Sequence, residues 1–570
     1  MHRDAKSSLG RRARAALMPA TLLVIMIVGF PPAPAAAATC EGLTSLSLPH
    51  TTITLAQSVL GGTFTPPVGA ALTGLPDFCR VVGAAHPAAD SNIGFEVWIP
   101  AGSAWNGKYL QVGNGGFAGS IPYGALGNAL RRGYATAGTD DGHVAGGTNA
   151  AWALGHPEKI IDFGYRALKE TTDNAKAIIA ALTSSDPARS YFIGCSDGGR
   201  EALMEAQRFP GDFDGIIAGA PANFWTHLLA AAAWTQQALL ETPASYIPPS
   251  KLPAVQAAAL AACDMVEDGI ADGIVADPRD CHFDPTVLQC TGPDSDACLT
   301  GPQVTALKKI YAGPRNPRTG VVVHPGFEAG AEAPAGSLPA WQTGPSLAGI
   351  NGALLNQFSV NFFRFMVFDD ASFDIRNLNF DSHIALADTK SVNGQPLASV
   401  LNSTNPDLSA FQSHGGKLIH YHGWNDPAIG ARNSINYYES VATAQRPGKG
   451  QGKGEDKGGL RRTQDFYRLF MVPGMLHCAG GPGPNTFGQG TPLADADHDV
   501  VKALEQWVER GIPPDRIIAT KYVNDNPANA GVLTRPLCPY PQVALLARPG
   551  ADTKDARNFV CVDDERGSTR

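Results

Sequence analysis

Short apolar runs recur along this chain, each cut off by glycine or a polar cluster. Residues 95–100, 109–112, 134–138, 191–193, 215–219, 417–420 and 466–472 are too short for independent helices and read as strands buried in a sheet. The first ends in Pro100, which marks an edge-like strand. Between the third and fourth runs, Leu168, Thr172, Ala175, Ile179 and Leu182 recur at spacings of four and three, one face of a helix. A further helix is expected over 201–208. Val501, Leu504, Trp507 and Val508 give an amphipathic one stopped by Gly511. This alternation of strand and helix predicts an α/β fold with a mostly parallel sheet. After Pro221 the alternation lapses. Residues 222–412 carry local cysteine pairs and an aromatic series that includes Trp225, Trp341, Phe358, Phe362 and Phe363. They read as a lid inserted between two parts of the core, 39–221 and 413–570.

The candidate chemistry gathers in loops after three of the strands. Gly194-Cys195-Ser196-Asp197-Gly198-Gly199-Arg200 joins a strand to a helix. Such a turn lifts a serine hydroxyl clear of the backbone, and glycines flank it where a Cβ would clash. Asp426 follows the run 417–420, within His422-Gly423-Trp424-Asn425-Asp426-Pro427. His477 follows 466–472, within Pro473-Gly474-Met475-Leu476-His477-Cys478. Singly, each is an ordinary turn residue. Together, each just past a strand and in the chain order Ser, Asp, His, they predict a nucleophile, an orienting acid and a base on an α/β-hydrolase core. The glycine-rich loop 113–119 follows another strand. No Gly-Lys-Ser/Thr follows it and no helix start is evident, so it is not read as a phosphate cradle. It is expected to supply the Gly116 N–H, which with the Asp197 N–H would form an oxyanion hole. Cys195 adjoins Ser196 and Cys478 adjoins His477. A serine–histidine contact of about 3 Å would therefore bring those cysteines into disulfide range.

The remaining sequence sets the compartment. Arg3, Lys6, Arg11, Arg12 and Arg14 precede an apolar run, 15–30, and then small residues to Ala38. Residues 1–38 read as a cleaved signal peptide, the apolar run being shorter than the ~20 residues a membrane span needs. A secreted or periplasmic location makes ten cysteines a disulfide set. The sequence alone does not fix their connectivity. Locality suggests Cys40–Cys79, Cys263–Cys281, Cys290–Cys298 and Cys538–Cys561, leaving Cys195–Cys478. A net charge of −8 points away from nucleic acid and from anionic membrane surfaces once the signal is removed. The stretch 263–274 places acids around glycines in a pattern that suits a hard cation, Ca²⁺ first, without the twelfth-position Glu of an EF-hand. Residues 446–459, rich in Gly and Lys, read as a flexible insertion.

Gly-Cys-Ser-x-Gly-Gly-Arg, His-Gly-x-x-Asp-Pro and Pro-Gly-Met-x-His-Cys resemble the tannase and feruloyl esterase family, and 205–210, 214–221 and 480–484 extend the likeness across about 79–561. The resemblance implies an α/β-hydrolase with a large inserted lid and the Cys195–Cys478 bridge. It also implies a structural Ca²⁺ held by Asp264, Asp268 and Asp272 with the carbonyls of Ile270 and Ile274. Here three residues separate the first two acids where the family usually has two, so either Glu267 replaces Asp268 or the loop bulges. The activity implied is that of a secreted serine carboxylesterase. It would cleave small aromatic esters, feruloyl (hydroxycinnamoyl) esters first, free or attached to plant cell-wall polysaccharide. Tannase action on galloyl esters and mono(hydroxyethyl) terephthalate hydrolysis are the alternatives. Arg364 could meet an acidic substrate group, although a salt bridge within the lid is its more ordinary role. One or two of the lid aromatics are expected to line the acyl pocket, the rest being core. Outside the enzymes stands a secreted binding protein on a dead hydrolase scaffold, which the filled triad positions argue against.

Overall fold

The computed structural model describes residues 38–266, 268–446 and 457–564. The expected signal peptide, apart from Ala38, therefore lies outside the described residues, as do Glu267 and most of the glycine-lysine insertion. Nine strands form the central sheet. They are β1 (Thr51–Val59), β2 (Phe78–Ala85), β3 (Ile93–Pro100), β4 (Lys108–Val112), β5 (Ala135–Thr139), β6 (Arg189–Cys195), β7 (Gly215–Gly219), β8 (Lys417–Gly423) and β9 (Tyr467–Val472). Their spatial order is β1-β2-β3-β5-β4-β6-β7-β8-β9. The pairings from β1 through β3 to β5 are antiparallel, and every pairing from β5 to β9 is parallel. Strands buried on both faces explain why the runs read as continuously apolar.

Eight of the described α-helices bear on the sheet and the site. They are α1 (Tyr123–Arg131), α2 (Ala167–Thr183), α3 (Asp197–Arg208), α4 (Trp225–Leu240), α5 (Leu354–Phe362), α6 (Arg432–Ala444), α7 (Lys457–Gln464) and α8 (Val500–Arg510). Along α2, Leu168, Thr172, Ala175 and Ile179 are buried, as their spacing requires. Gly511 ends α8 in the left-handed conformation, with φ +68°.

Three details depart from the sequence reading. Strand β3 lies third in the sheet rather than at an edge. Pro100 is its last residue, so the missing N–H removes little from the ladder. Helix α1 does follow the glycine-rich loop; it is headed by Pro122 with no side-chain cap, which is why no start signal was visible. Helix α7 begins at Lys457, inside the stretch expected to be a flexible insertion.

Strands β7 and β8 are hydrogen-bonded neighbours, with Lys417 opposite Gly215, although the segment 220–416 separates them in sequence. That segment contains α4 and α5. It packs through one apolar cluster that joins Phe362, Phe363 and Met366 to Phe117 and Phe163 of the preceding core. A second cluster, including Leu252, Leu307 and Ile310, lies wholly within it.

Five disulfides join Cys40 to Cys79, Cys195 to Cys478, Cys263 to Cys281, Cys290 to Cys298 and Cys538 to Cys561. Among the described residues, no helix is long and apolar enough to cross a membrane.

The carboxylate of Asp499 ties α8 to the end of α1. It caps the helix by accepting from the N–H groups of Val501 and Lys502, and it pairs with Arg132 at 2.8 Å, its own side chain being fully buried. Asp499→Ala removes the cap and leaves Arg132 unpaired. A loss of about 3 kcal/mol is expected, measured as a lower midpoint in urea unfolding.

Candidate active site

The loops at the carboxyl ends of β6, β8 and β9 converge, as they do above any open parallel sheet. Strand β6 ends at Cys195 and α3 begins at Asp197, so Ser196 alone makes the turn, at φ +67° and ψ −120°. That strained conformation is held by its N–H, which donates to the Gly219 carbonyl at 3.0 Å. Gly198 lets the neighbouring glycine-rich loop lie directly on the elbow. Its N–H donates to the Asn114 carbonyl at 2.8 Å, and a Cβ there would stand 2.8 Å from the same oxygen.

His477 bridges the other two groups. Its Nε2 is 2.9 Å from Ser196 Oγ and its Nδ1 is 2.7 Å from Asp426 Oδ2. An ionised carboxylate only accepts, so Nδ1 carries the proton and Nε2 is left to accept from the serine hydroxyl. The aspartate and histidine loops are zipped together. The Trp424 N–H donates to the Val472 carbonyl at 2.9 Å and the Asn425 N–H to the Met475 carbonyl at 3.1 Å. The inserted segment closes on the same loops. Gln342 donates to the Pro427 carbonyl at 3.0 Å, and the Trp341 ring meets His477 edge-to-face at 4.8 Å.

Asp426 is sealed from solvent, and both oxygens are occupied. Oδ1 accepts from the N–H groups of Ala428 at 2.8 Å and Ile429 at 3.0 Å. Oδ2 takes His477 and, at 3.2 Å, His422 Nε2. Burial alone would push this carboxyl up. The two imidazoles outweigh it and hold Asp426 well below the usual carboxylate range.

Gly116 sits at φ +63°, and a Cβ on it would come within 2.3 Å of the Gly147 carbonyl oxygen, so the site accepts only glycine. Gly116 and Ser196 line the same pocket. Neither the Gly116 nor the Asp197 N–H donates to a group among the described residues. The side chain of Asp197 is engaged elsewhere: its carboxylate accepts from Arg200 Nε at 2.6 Å, both groups fully buried. Below the glycine-rich loop, Glu201 accepts from the Asn114 N–H at 2.9 Å and sits beside Asp141. Burial pushes Asp141 and Asp197 up to about 7 and raises Glu201. The sequence reading did not single out Asp141, Arg200, Glu201 or His422. His422 and Arg200 stood in the quoted motifs, but nothing in the motifs separates a supporting side chain from a passenger.

The pocket beside Ser196 is walled by Trp225, Trp341, Phe358, Leu228, Leu229 and Ile429. Among its described lining residues none is charged. Phe362 and Phe363 are core instead. Arg364 donates to the Phe373 carbonyl at 2.8 Å and does not line the pocket.

The acidic loop lies elsewhere. Asp264 accepts from the N–H groups of Gly273 and Ile274 at 3.0 and 3.1 Å, Asp268 from that of Ile270 at 3.0 Å, and Asp272 from that of Ile274 at 3.1 Å. Arg535, from the C-terminal segment, pairs with Asp272 at 2.7 Å and approaches Asp268 at 3.6 Å. Burial pushes Asp268 up to about 6.

Residues 79–562 match the family described as tannase and feruloyl esterase. The chain belongs to that family. It is 53% identical to an uncharacterized esterase of Xanthomonas campestris pv. campestris, across 94% of this chain and 92% of the relative. It is 33% identical to the mono(2-hydroxyethyl) terephthalate hydrolase of Piscinibacter sakaiensis, across 87% and 86%. The crystal structure of feruloyl esterase B from Aspergillus oryzae superposes with a TM-score of 0.80 at 28% identity, covering 92% of this chain and 99% of that one. The fold is accordingly that of an α/β-hydrolase, and the protein is a carboxylic ester hydrolase.

The Cys195–Cys478 bridge, with Cα atoms 6.0 Å apart, fastens the residue before Ser196 to the residue after His477. Cys478 is itself held at a positive φ of +61°. Replacing both cysteines by serine should lower esterase kcat at least tenfold and reduce the melting temperature by several degrees, because a disulfide across so long a loop contributes about 2–4 kcal/mol. Steady-state kinetics with thermal melts checks both.

Proposed function

We propose that the protein is a secreted or periplasmic serine esterase acting on hydroxycinnamoyl esters, with Ser196, His477 and Asp426 as its catalytic triad. The carrying observation is His477 in hydrogen-bond reach of both partners, with an apolar aromatic pocket beside the serine. Ser196 Oγ attacks the ester carbonyl while His477 Nε2 takes its proton. The N–H groups of Gly116 and Asp197 receive the developing oxyanion. The C–O bond to the alcohol then breaks, and His477 returns the proton to the leaving oxygen. Water activated by the same imidazole attacks the acyl-enzyme, releasing the acid and restoring Ser196. Asp426 keeps the imidazole in the tautomer this requires and stabilises it when charged.

The pocket supports the substrate class. Flat walls from Trp225, Trp341 and Phe358 suit a conjugated ring. A terephthalate monoester would bring its free carboxylate to a lining with no cation among the described residues, a costly burial. A galloyl ring would bring three hydroxyls to the same apolar walls. Residues 222–412 act on this reading as the lid that supplies those walls.

The donor set of the acidic loop fits Ca²⁺. It offers only oxygen, and neither the Ile270 nor the Ile274 carbonyl accepts a hydrogen bond from the described residues, although the three carboxylates stand too far apart to meet on one ion without the loop tightening. Asp264, Asp268 and Asp272 with those carbonyls would hold the ion. A bound cation would add fixed positive charge where Arg535 already balances part of the acidic cluster.

Two measurements test these readings. Methyl ferulate, methyl p-coumarate, methyl gallate, a terephthalate monoester and p-nitrophenyl acetate should be hydrolysed in a Ser196-dependent manner, ferulate and coumarate with the highest kcat/KM. Ser196→Ala should lose at least a thousandfold, and a preference for gallate or terephthalate would reassign the substrate. Chelation with EDTA should lower the melting temperature, Ca²⁺ should restore it, and metal analysis should find about one ion per chain. An unchanged melt would remove the calcium.

A further inference from the structure

Behind Asp426 a continuous line of buried polar groups runs away from the substrate. His422 and His420 alternate on β8 and so face the same side of the sheet, towards α6. Ser434 of α6 reaches between them, its Oγ 2.6 Å from His422 Nδ1 and 2.7 Å from His420 Nε2. His420 Nδ1 lies 2.7 Å from the hydroxyl of Tyr467, the first residue of β9. His420, His422, Ser434 and Tyr467 have no exposed surface.

The direction of every bond in this line follows from one end. His422 Nε2 faces only acceptors, the Ile429 carbonyl at 3.1 Å and Asp426 Oδ2, so it must carry the proton. His422 Nδ1 is then bare and accepts from the Ser434 hydroxyl. The Ser434 oxygen, its own proton spent, accepts from His420 Nε2–H. His420 Nδ1 is bare in turn and accepts from the Tyr467 hydroxyl. Four donors thus point the same way, each polarising the next, and the last N–H is shared between the Ile429 carbonyl and the carboxylate oxygen that His477 also meets. Burial holds His420 well below the ordinary imidazole value, which keeps that ring neutral.

We propose that His422, Ser434, His420 and Tyr467 form a positioning relay that fixes the Asp426 carboxylate and tempers its charge, thereby setting the basicity of His477. The inference rests on the triad reading above. Satisfying buried polar groups does not explain the arrangement, since apolar residues at these positions would fill the core at lower cost. The line ends between the Ile429 carbonyl and the one carboxylate oxygen that His477 also meets. The other titratable groups packed around it are His324 beside His422 and Tyr437 and Tyr438 against Tyr467.

The test is the pH dependence of kcat/KM on methyl ferulate, with active sites counted by a fluorophosphonate probe. Without the His422 donor, more negative charge stays on Asp426 Oδ2 and the imidazolium of His477 is favoured. His477 then remains protonated to higher pH, so the acidic limb of kcat/KM should move up by about half a unit in His422→Ala. Its kcat per titrated site should fall about 10- to 100-fold with KM within twofold. His422→Gln, which returns an N–H near the Nε2 position, should recover most of both. Ser434→Ala should fall between His422→Ala and wild type, and the near-isosteric Tyr467→Phe should show the smallest change. A purely structural role would lower the melting temperature and the number of titratable sites while leaving per-site kcat and the acidic limb at wild-type values. That result in Ser434→Ala and His422→Ala overturns the relay, and if His422→Ala does not fold, Ser434→Ala decides. Activity surviving in Ser196→Ala, measured alongside, would instead overturn the triad.

Discussion

A carboxylate with no access to water governs the architecture of this site. Charge of that kind persists in a protein interior only when every lone pair is met, and Asp426 meets that condition with two backbone N–H groups and two imidazoles. Each donor imposes something on the chain. The backbone donors fix the turn after Pro427. His477 must come from the end of β9, so β8 and β9 must be neighbours in register. His422 must face α6, which sets the phase of β8. The sheet order, the loop lengths and the helix packing around β8 all follow from housing one anion in the dry end of a parallel sheet.

The sequence made the frame of this arrangement legible. Seven apolar runs fall on strands of the sheet, two of them starting one residue early, and the Ser, Asp, His order after three of them put Ser196, Asp426 and His477 in loops that converge. Such features are local or periodic, and one-dimensional patterns report them well. What escaped reading depends on contacts between distant segments. Glu201 looked like any helix residue until the Asn114 N–H was seen against it, and Arg535 had no motif to mark its approach to the acidic loop. Helix α1 lacked a capping side chain, and Pro100 suggested an edge because its place at the very end of β3 is a matter of register. His420 and His422 stand two apart on β8, but nothing in the sequence marks Ser434 as the residue that joins them.

The inserted segment has two roles that its composition did not separate. Phe362 and Phe363 are mortar, binding it to the core through the cluster that includes Phe117 and Phe163. Trp341 and Phe358 are wall, stacked with ring centroids 6.3 Å apart above the serine. The same Trp341 meets His477 edge-to-face at 4.8 Å, so one indole both lines the pocket and packs on the imidazole. One rigid ring thus joins the wall of the pocket to the placement of the imidazole.

Ser196 and His477 are 281 residues apart, and the bridge beside them spans the entire inserted segment. A chain emerging from its N-terminus presents the serine early and the histidine only after most of its length has appeared. On the triad reading, the nascent protein is therefore chemically silent while it is made and while it is still unfolded. Its reactivity waits until β9 docks beside β8 and brings His477 to the serine, so the timing of activation is written into the chain order.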